Sequence, residues 1–207
     1  MHRKPHMNRI VSTGLAVLMT CVGLNGAGAQ SAGSTYTSTA AKDCRQIGKS
    51  STLDGSTMRV CPGKDGLMVL IAEDDLRETV SVGRNRKQAA EEPAAKTWFA
   101  PFNSSETTVE WRVAGAKPFA MIQRWHIADN ADPDKQGRPN TKAMLVVTRL
   151  PPGPVCHVAY VDAAANADAN ELARKAADEL ARSFTCGKDE VKIVGTRGRA
   201  IELATMH

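Results

Sequence analysis

The sequence predicts an α+β domain: an antiparallel β-sheet, one main C-terminal helix packed on it, and two disulfides. Three observations carry this. Between Leu67 and Asp162, short runs of apolar residues either alternate with polar ones or follow one another unbroken, the patterns of half-buried and fully buried strands. From Ala169 to Thr185, Leu172, Ala176, Leu180 and Phe184 recur at the spacing of one helix face. Once an N-terminal export segment is set aside, Cys44, Cys61, Cys156 and Cys186 remain, an even count that suits bridges in an oxidising compartment.

That segment is residues 1–29. Arg3, Lys4 and Arg9 form a basic start, Ile10 to Leu24 an apolar stretch, and Ala27-Gly28-Ala29 the small-residue pattern that precedes cleavage. The run is too short and too interrupted for a membrane anchor, and no later stretch is apolar for long enough. Thr20 before Cys21 argues against a lipidated start. The expected destination is therefore periplasmic or secreted. Arg3, Lys4 and Arg9 are three of the 27 basic residues and leave with the segment, whereas all 22 acidic residues stay, so +5 becomes +2. A balance that small gives no reason to expect nucleic acid. The 178 residues from Gln30 to His207 suit one domain.

In order along the chain, residues 30–41 are small and polar and read as a flexible arm, with the domain spanning 42–207. Asp54-Gly55 is a turn signal that folds Cys61 back towards Cys44. Leu67 to Ala72 reads as a strand buried on both faces. Leu76, Val80 and Val82 share one side of the next. Gly83 to Lys96 is charged, contains Pro93, and reads as a loop whose Arg84, Arg86 and Lys87 are solvated surface rather than an anion site.

The clearest pair is "TVEWRV" with "FAMIQRWHI". A two-residue loop at Gly115-Ala116 places Trp111 opposite Ala120 and mixes polar with apolar. An odd-length loop places Val113 opposite Phe119 and Trp111 opposite Met121, which gathers the apolar residues on one face, with Gln123 the exception. Glu110, Arg112, Arg124 and His126 then share the other face.

"AMLVVTRL" reads as another buried strand, ended by Pro151, Pro152 and Pro154, and Val155 begins the next. The helix follows, with Asp168 as N-cap, Glu171 in capping-box position and Gly187 at the end. "VKIV" and "RAIEL" read as short closing strands joined by a turn at Gly195 and Gly198.

Cys156 and His157 adjoin, which raises the question of a nucleophile and its base. Alternation puts Cys156, Val158 and Tyr160 on one face and His157, Ala159 and Val161 on the other, so the two do not meet. The strand advances about 20 Å to Asp162, and the helix returns about 24 Å. Cys186 thus lands beside Cys156. The expected bridges are Cys44–Cys61 and Cys156–Cys186.

Other motifs carry less. The GxxG of "IVGTRGRAIEL" lacks the chain that an RNA-binding domain of that type needs. Asn130, Asp132 and Asp134 alternate as in a calcium loop, but Lys135 and Thr141 occupy the positions that want Gly and Glu. No metal or cofactor is expected. Asn103-Ser104-Ser105 is a glycosylation sequon. No motif carries a resemblance to a known family. The leading expectation is a non-catalytic exported domain that binds an envelope or extracellular protein, or another envelope component, through Glu110, Arg112, Arg124 and His126. The rivals are a small hydrolase using His126 with Asp129 or Glu110, and a structural envelope protein.

Overall fold

A computed structural model describes residues 1–2, 32–47 and 56–204. The strands are β1 (Ala32–Ser38), β2 (Arg45–Ile47), β3 (Thr57–Pro62), β4 (Met68–Asp74), β5 (Arg77–Gly83), β6 (Asn103–Ala114), β7 (Lys117–Pro133), β8 (Pro139–Arg149), β9 (Cys156–Asp162) and β10 (Lys192–Ile193). The helices are α1 (Arg86–Glu91), α2 (Ala169–Leu180) and α3 (Arg199–Leu203). The export segment lies outside the described residues apart from Met1 and His2, and Asp54-Gly55 lies outside them too.

The protein is mostly β-sheet, and it has two sheets where one was expected. A six-stranded sheet runs β1-β6-β7-β8-β9-β10 and a four-stranded sheet runs β2-β3-β4-β5. They pack face to face through Val69, Ile71, Val80 and Val82 of the smaller sheet and Trp111, Met121, Trp125, Ile127 and Met144 of the larger. The opposite face of the larger sheet, with Ala120, Ile122, Leu145, Val147, Ala159 and Val161, is covered by α2. The reason for the second sheet lies in β8 and β9. Every residue of β9 is buried, and a sheet apolar on both faces needs a cover on each side.

Helix α2 packs through Ala169, Ala173, Ala176 and Ala177, so it approaches the sheet closely, while Leu172 and Leu180 are only partly buried. Asp168 is its N-cap residue, as expected, but its side chain makes no capping bond, and the helix ends at Leu180 with Ala181 as C-cap instead of running to Thr185 before Gly187. Beyond α2 the chain enters β10 parallel to β9, a pairing that needs a long crossover such as a helix provides. The closing "RAIEL" is α3 rather than a strand, and its Ala200 and Ile201 bury against the sheet–sheet core. Gly195, at φ +78°, makes the turn before it.

Three further readings change. Residues 32–38, read as part of an arm, form edge strand β1 along β6. Small polar residues suffice there because the backbone does the pairing, and Thr37 Oγ1 accepts from the buried Trp111 Nε1 at 2.8 Å. Residues 86–91, read as loop, form α1, capped by Asn85 Oδ1 accepting from Gln88 N at 2.9 Å. Leu76 does not share the side of Val80 and Val82. It sits in the β4–β5 turn at φ +59° and is exposed.

Both disulfides form as expected, Cys44–Cys61 and Cys156–Cys186, with Cα–Cα distances of 4.2 and 6.0 Å. No helix among the described residues is long and apolar enough to cross a membrane.

Candidate functional site

The register of β6 and β7 determines which polar residues meet. Trp111 does lie opposite Met121, but Val113 lies opposite Pro118 rather than Phe119. The turn is the two-residue Gly115-Ala116 loop, and an irregularity at Phe119 corrects the register behind it. Phe119 is thereby moved to the α2 side, apart from Met121, Trp125 and Ile127. A second irregularity sets residues 106–108 against Arg124 alone. Gln123, the exception in the alternation, donates to Glu106 O at 2.6 Å and ties that irregularity down.

Glu110, Arg112, Arg124 and His126 do share a face, but α2 covers its Glu110 and Arg112 end instead of leaving it open to solvent. Arg112 is buried and forks onto Asp178 of α2, with Nε and Nη2 donating to the two carboxylate oxygens at 2.9 and 2.6 Å. Its Nη1 donates to Ser34 Oγ at 2.6 Å. Glu110, also buried, accepts from Arg174 of α2 at 2.7 and 3.2 Å and from the Ser34 hydroxyl. The bond to Glu110 raises the Arg174 pKa above its already high ordinary value. These are fork-to-carboxylate ties between helix and sheet. They remove Glu110 and Arg112 from an exposed binding surface.

Arg124 and His126 are half-buried. His126 Nε2 lies 3.0 Å from Glu106 Oε1, and Arg124 Nε lies 3.8 Å from the same oxygen. The acid partners expected for a hydrolase are elsewhere: Glu110 is held by Arg174, and Asp129 accepts from both Arg199 Nε and Nη2 at 2.8 and 3.0 Å. Among the described residues the side-chain partner of the His126 ring is the Glu106 carboxylate. It lines an open hollow of about 370 Å³ with Leu76 and Phe102.

The acidic loop is internally neutralised. Hydrogen bonds from Arg199, from Lys142, and from the Arg138 backbone hold the Asp129, Asp132 and Asp134 carboxyls, respectively, below the usual carboxylate range. Among the described residues no group of three or more His, Cys, Asp or Glu side chains is placed to hold a metal ion. The sequon residue Asn103 is buried, with its amide donating to Phe99 O and Pro101 O.

An irregularity at Val158 alters the expected faces of β9. Cys156 stays on the α2 side with Ala159 and Val161, whereas His157 and Tyr160 face the sheet–sheet core. His157 Nδ1 lies 2.8 Å from the Tyr160 hydroxyl, and its ring stacks on Phe99. Burial pushes the His157 pKa down to about 4 and the Tyr160 pKa up. Cys156 and His157 are thus separate, the first a bridge and the second a neutral core residue.

The cavity with the most distinctive charge lies one helical turn beyond Asp178. About 640 Å³ in volume, it is bounded by the β6–β7 turn, the proline loop after β8 and the end of α2. Arg84, Lys117, Arg149 and Arg182 line it, with Asp65 the one acidic residue among them. Arg149 is only 9% exposed. Its guanidinium donates to Ala181 O at 3.2 Å, Pro154 O at 2.6 Å and Pro152 O at 2.8 Å, all neutral carbonyls. Gly153, at φ +87°, bends the proline loop around it. The Arg182 guanidinium lies 3.8 Å from the centre of the Phe119 ring, a cation–π contact that the irregularity at Phe119 makes possible. Among the described residues none of these four cations forms an ion pair.

Of this cluster the sequence pointed only to Arg84, as solvated surface. Lys117, Arg149 and Arg182 lie far apart in the chain, and the only local signal was the Pro151, Pro152, Gly153, Pro154 loop. Compared with known proteins, the chain matches no family model, no curated protein and no solved structure.

Proposed function

We propose that the protein is an exported, non-catalytic binding domain that takes an anionic group of an envelope or extracellular component in the cleft of Arg84, Lys117, Arg149 and Arg182. One observation carries the reading: Arg149 is a buried cation with no carboxylate partner among the described residues. Burying an unpaired charge is costly. The three carbonyls satisfy hydrogen bonds but leave the net charge, and three exposed cations around the same cavity add to it. Such a field attracts anions and favours their retention. The two disulfides are compatible with an oxidising compartment, and the basic start, apolar run and Ala27-Gly28-Ala29 supply the export signal.

The test compares capture from an envelope extract by the exported protein and by its Lys117→Glu/Arg182→Glu variant. Both positions are exposed, so folding should survive. A component retained by the wild type at low salt and lost by the variant supports the reading. Equal retention by both overturns it. N-terminal sequencing of the exported protein should begin at Gln30, and a lipidated start at Cys21 would overturn the cleavage assignment.

A further inference from the structure

We infer that the cleft selects an amphipathic anion, a phosphate or carboxylate attached to an apolar body, over a small inorganic anion; this rests on the cleft being the binding site. The cations stand beside apolar walls, with Asp65 the one acidic residue in the lining. Leu67, Pro118, Phe119, Leu150, Pro151 and Pro152 line the same cavity. Leu67 and Leu150 are largely buried, at 7% and 2% exposure, and form its floor, while Pro151 and Pro152 stand more open at the rim.

A volume of about 640 Å³ falls within the range of pockets that enclose organic ligands, and exceeds what one phosphate fills. An inorganic anion would leave the apolar walls wet, and a neutral apolar molecule would leave the Arg149 charge uncompensated. A ligand that combines both parts removes apolar area from water and neutralises the cations in one pose. Arg182 is pre-organised for this, because stacking on Phe119 restricts its guanidinium before any ligand arrives. The same chemistry occurs in a soluble aryl or alkyl phosphate and in an anionic lipid headgroup with the first part of its chain.

Titration calorimetry of the exported protein at low salt with inorganic phosphate, phenyl phosphate and phenol tests the inference. Phenyl phosphate should bind at least about ten-fold more tightly than inorganic phosphate, a difference of about 1.4 kcal/mol. Phenol should give no saturable heat. Arg182→Gln should weaken phenyl phosphate by at least about ten-fold while the variant stays folded at the assay temperature. Equal affinity for the two phosphates would overturn the amphipathic inference while leaving the anion site standing. Phenol binding as tightly as phenyl phosphate would overturn it by removing the cations from recognition. No binding of any probe, together with equal capture by the Lys117→Glu/Arg182→Glu variant, would overturn both it and the function proposed above. Sedimentation with phosphatidic acid vesicles but not phosphatidylcholine vesicles assigns a lipid source. Phenyl phosphate binding without such sedimentation assigns a soluble one, and both outcomes uphold the ligand class.

Discussion

Two clusters of charge lie about one helical turn apart on the same side of the larger sheet, and they are built on opposite terms. Between sheet and helix, Arg112 meets Asp178 and Glu110 meets Arg174, each cation facing a carboxylate across a short bidentate contact. In the cleft, Arg149 meets three carbonyls and the Cys186 sulfur, Arg182 meets a ring face, and neither has a carboxylate among the described residues. The first arrangement is complete in itself. The second gains from a further negative charge. A polar cluster in a sequence therefore points to a site only when its charges fail to cancel after folding, and here the conspicuous one cancels.

The largest expected loss lies at the bridge that fixes the end of α2 beside the cleft. Replacing Cys156 and Cys186 by Ser opens a loop of 30 residues in sequence separation, which should cost about 3 to 4 kcal/mol in the chain-entropy model. Urea unfolding measures the loss, and phenyl phosphate affinity should fall in the same variant because Ala181 and Arg182 lose their anchor. An unchanged midpoint would show that the helix end is held by other contacts.

Arg112→Ala tests whether the paired cluster is structural. It leaves Asp178 and Ser34 without their donor, and should destabilise by about 3 kcal/mol, the low end for breaking a buried pair because Asp178 remains partly exposed. Anion affinity should remain at the wild-type level. A stable Arg112→Ala variant with weakened anion binding would reverse the roles assigned to the two regions.

The third expectation concerns pH and the opposite face of the same sheet. His157 has a folded-state pKa of about 4 against an ordinary 6.5. Between those values the unfolded chain binds the proton and the folded chain does not, so stability falls as pH drops from about 6.5 to about 4. The loss should approach about 3 kcal/mol at the lower end. Stability curves at pH 7, 5.5 and 4.5 should show this slope, and His157→Gln should flatten it. An unchanged slope in His157→Gln would assign it to other groups.

The smallest expected stability effects belong to exposed cations of the cleft. Lys117→Gln should move the unfolding free energy by less than about 0.5 kcal/mol and Arg182→Gln by about 0.5 to 1 kcal/mol through the lost Phe119 contact, while the salt dependence of anion binding becomes shallower. His126→Ala and Arg124→Ala should destabilise less than Arg112→Ala, since both side chains are half-buried beside Glu106. A melt of His126→Ala as early as that of Arg112→Ala would show that the Glu106 contact is structural.

Periodicity and chain geometry made much of this legible. Alternation identifies β6 and β7 and the shared face of Glu110, Arg112, Arg124 and His126. The run of alternate apolar residues places Trp125 in the core, and the strand-and-helix return places Cys186 at Cys156. "AMLVVTRL" was legible as a buried strand, but the second sheet that covers it was not. The irregularities at residues 106–108, Phe119 and Val158 were not legible. Each inserts residues whose cost and benefit depend on a partner strand, and each changes which side chains meet. β1 was hidden for a related reason, since an edge strand of small polar residues gains its stability from a neighbour's backbone.

The local grammar of the chain, its apolar periods and proline stops, thus determines where the apolar core strands and α2 form, because those depend on residues close in sequence. Which charges are neutralised is decided only by tertiary structure. Glu110 finds Arg174 and Arg112 finds Asp178 across more than sixty residues. Arg149 finds three carbonyls and, among the described residues, no carboxylate. Coulomb interactions and desolvation act through space at a few ångströms, and no spacing along the chain encodes those distances.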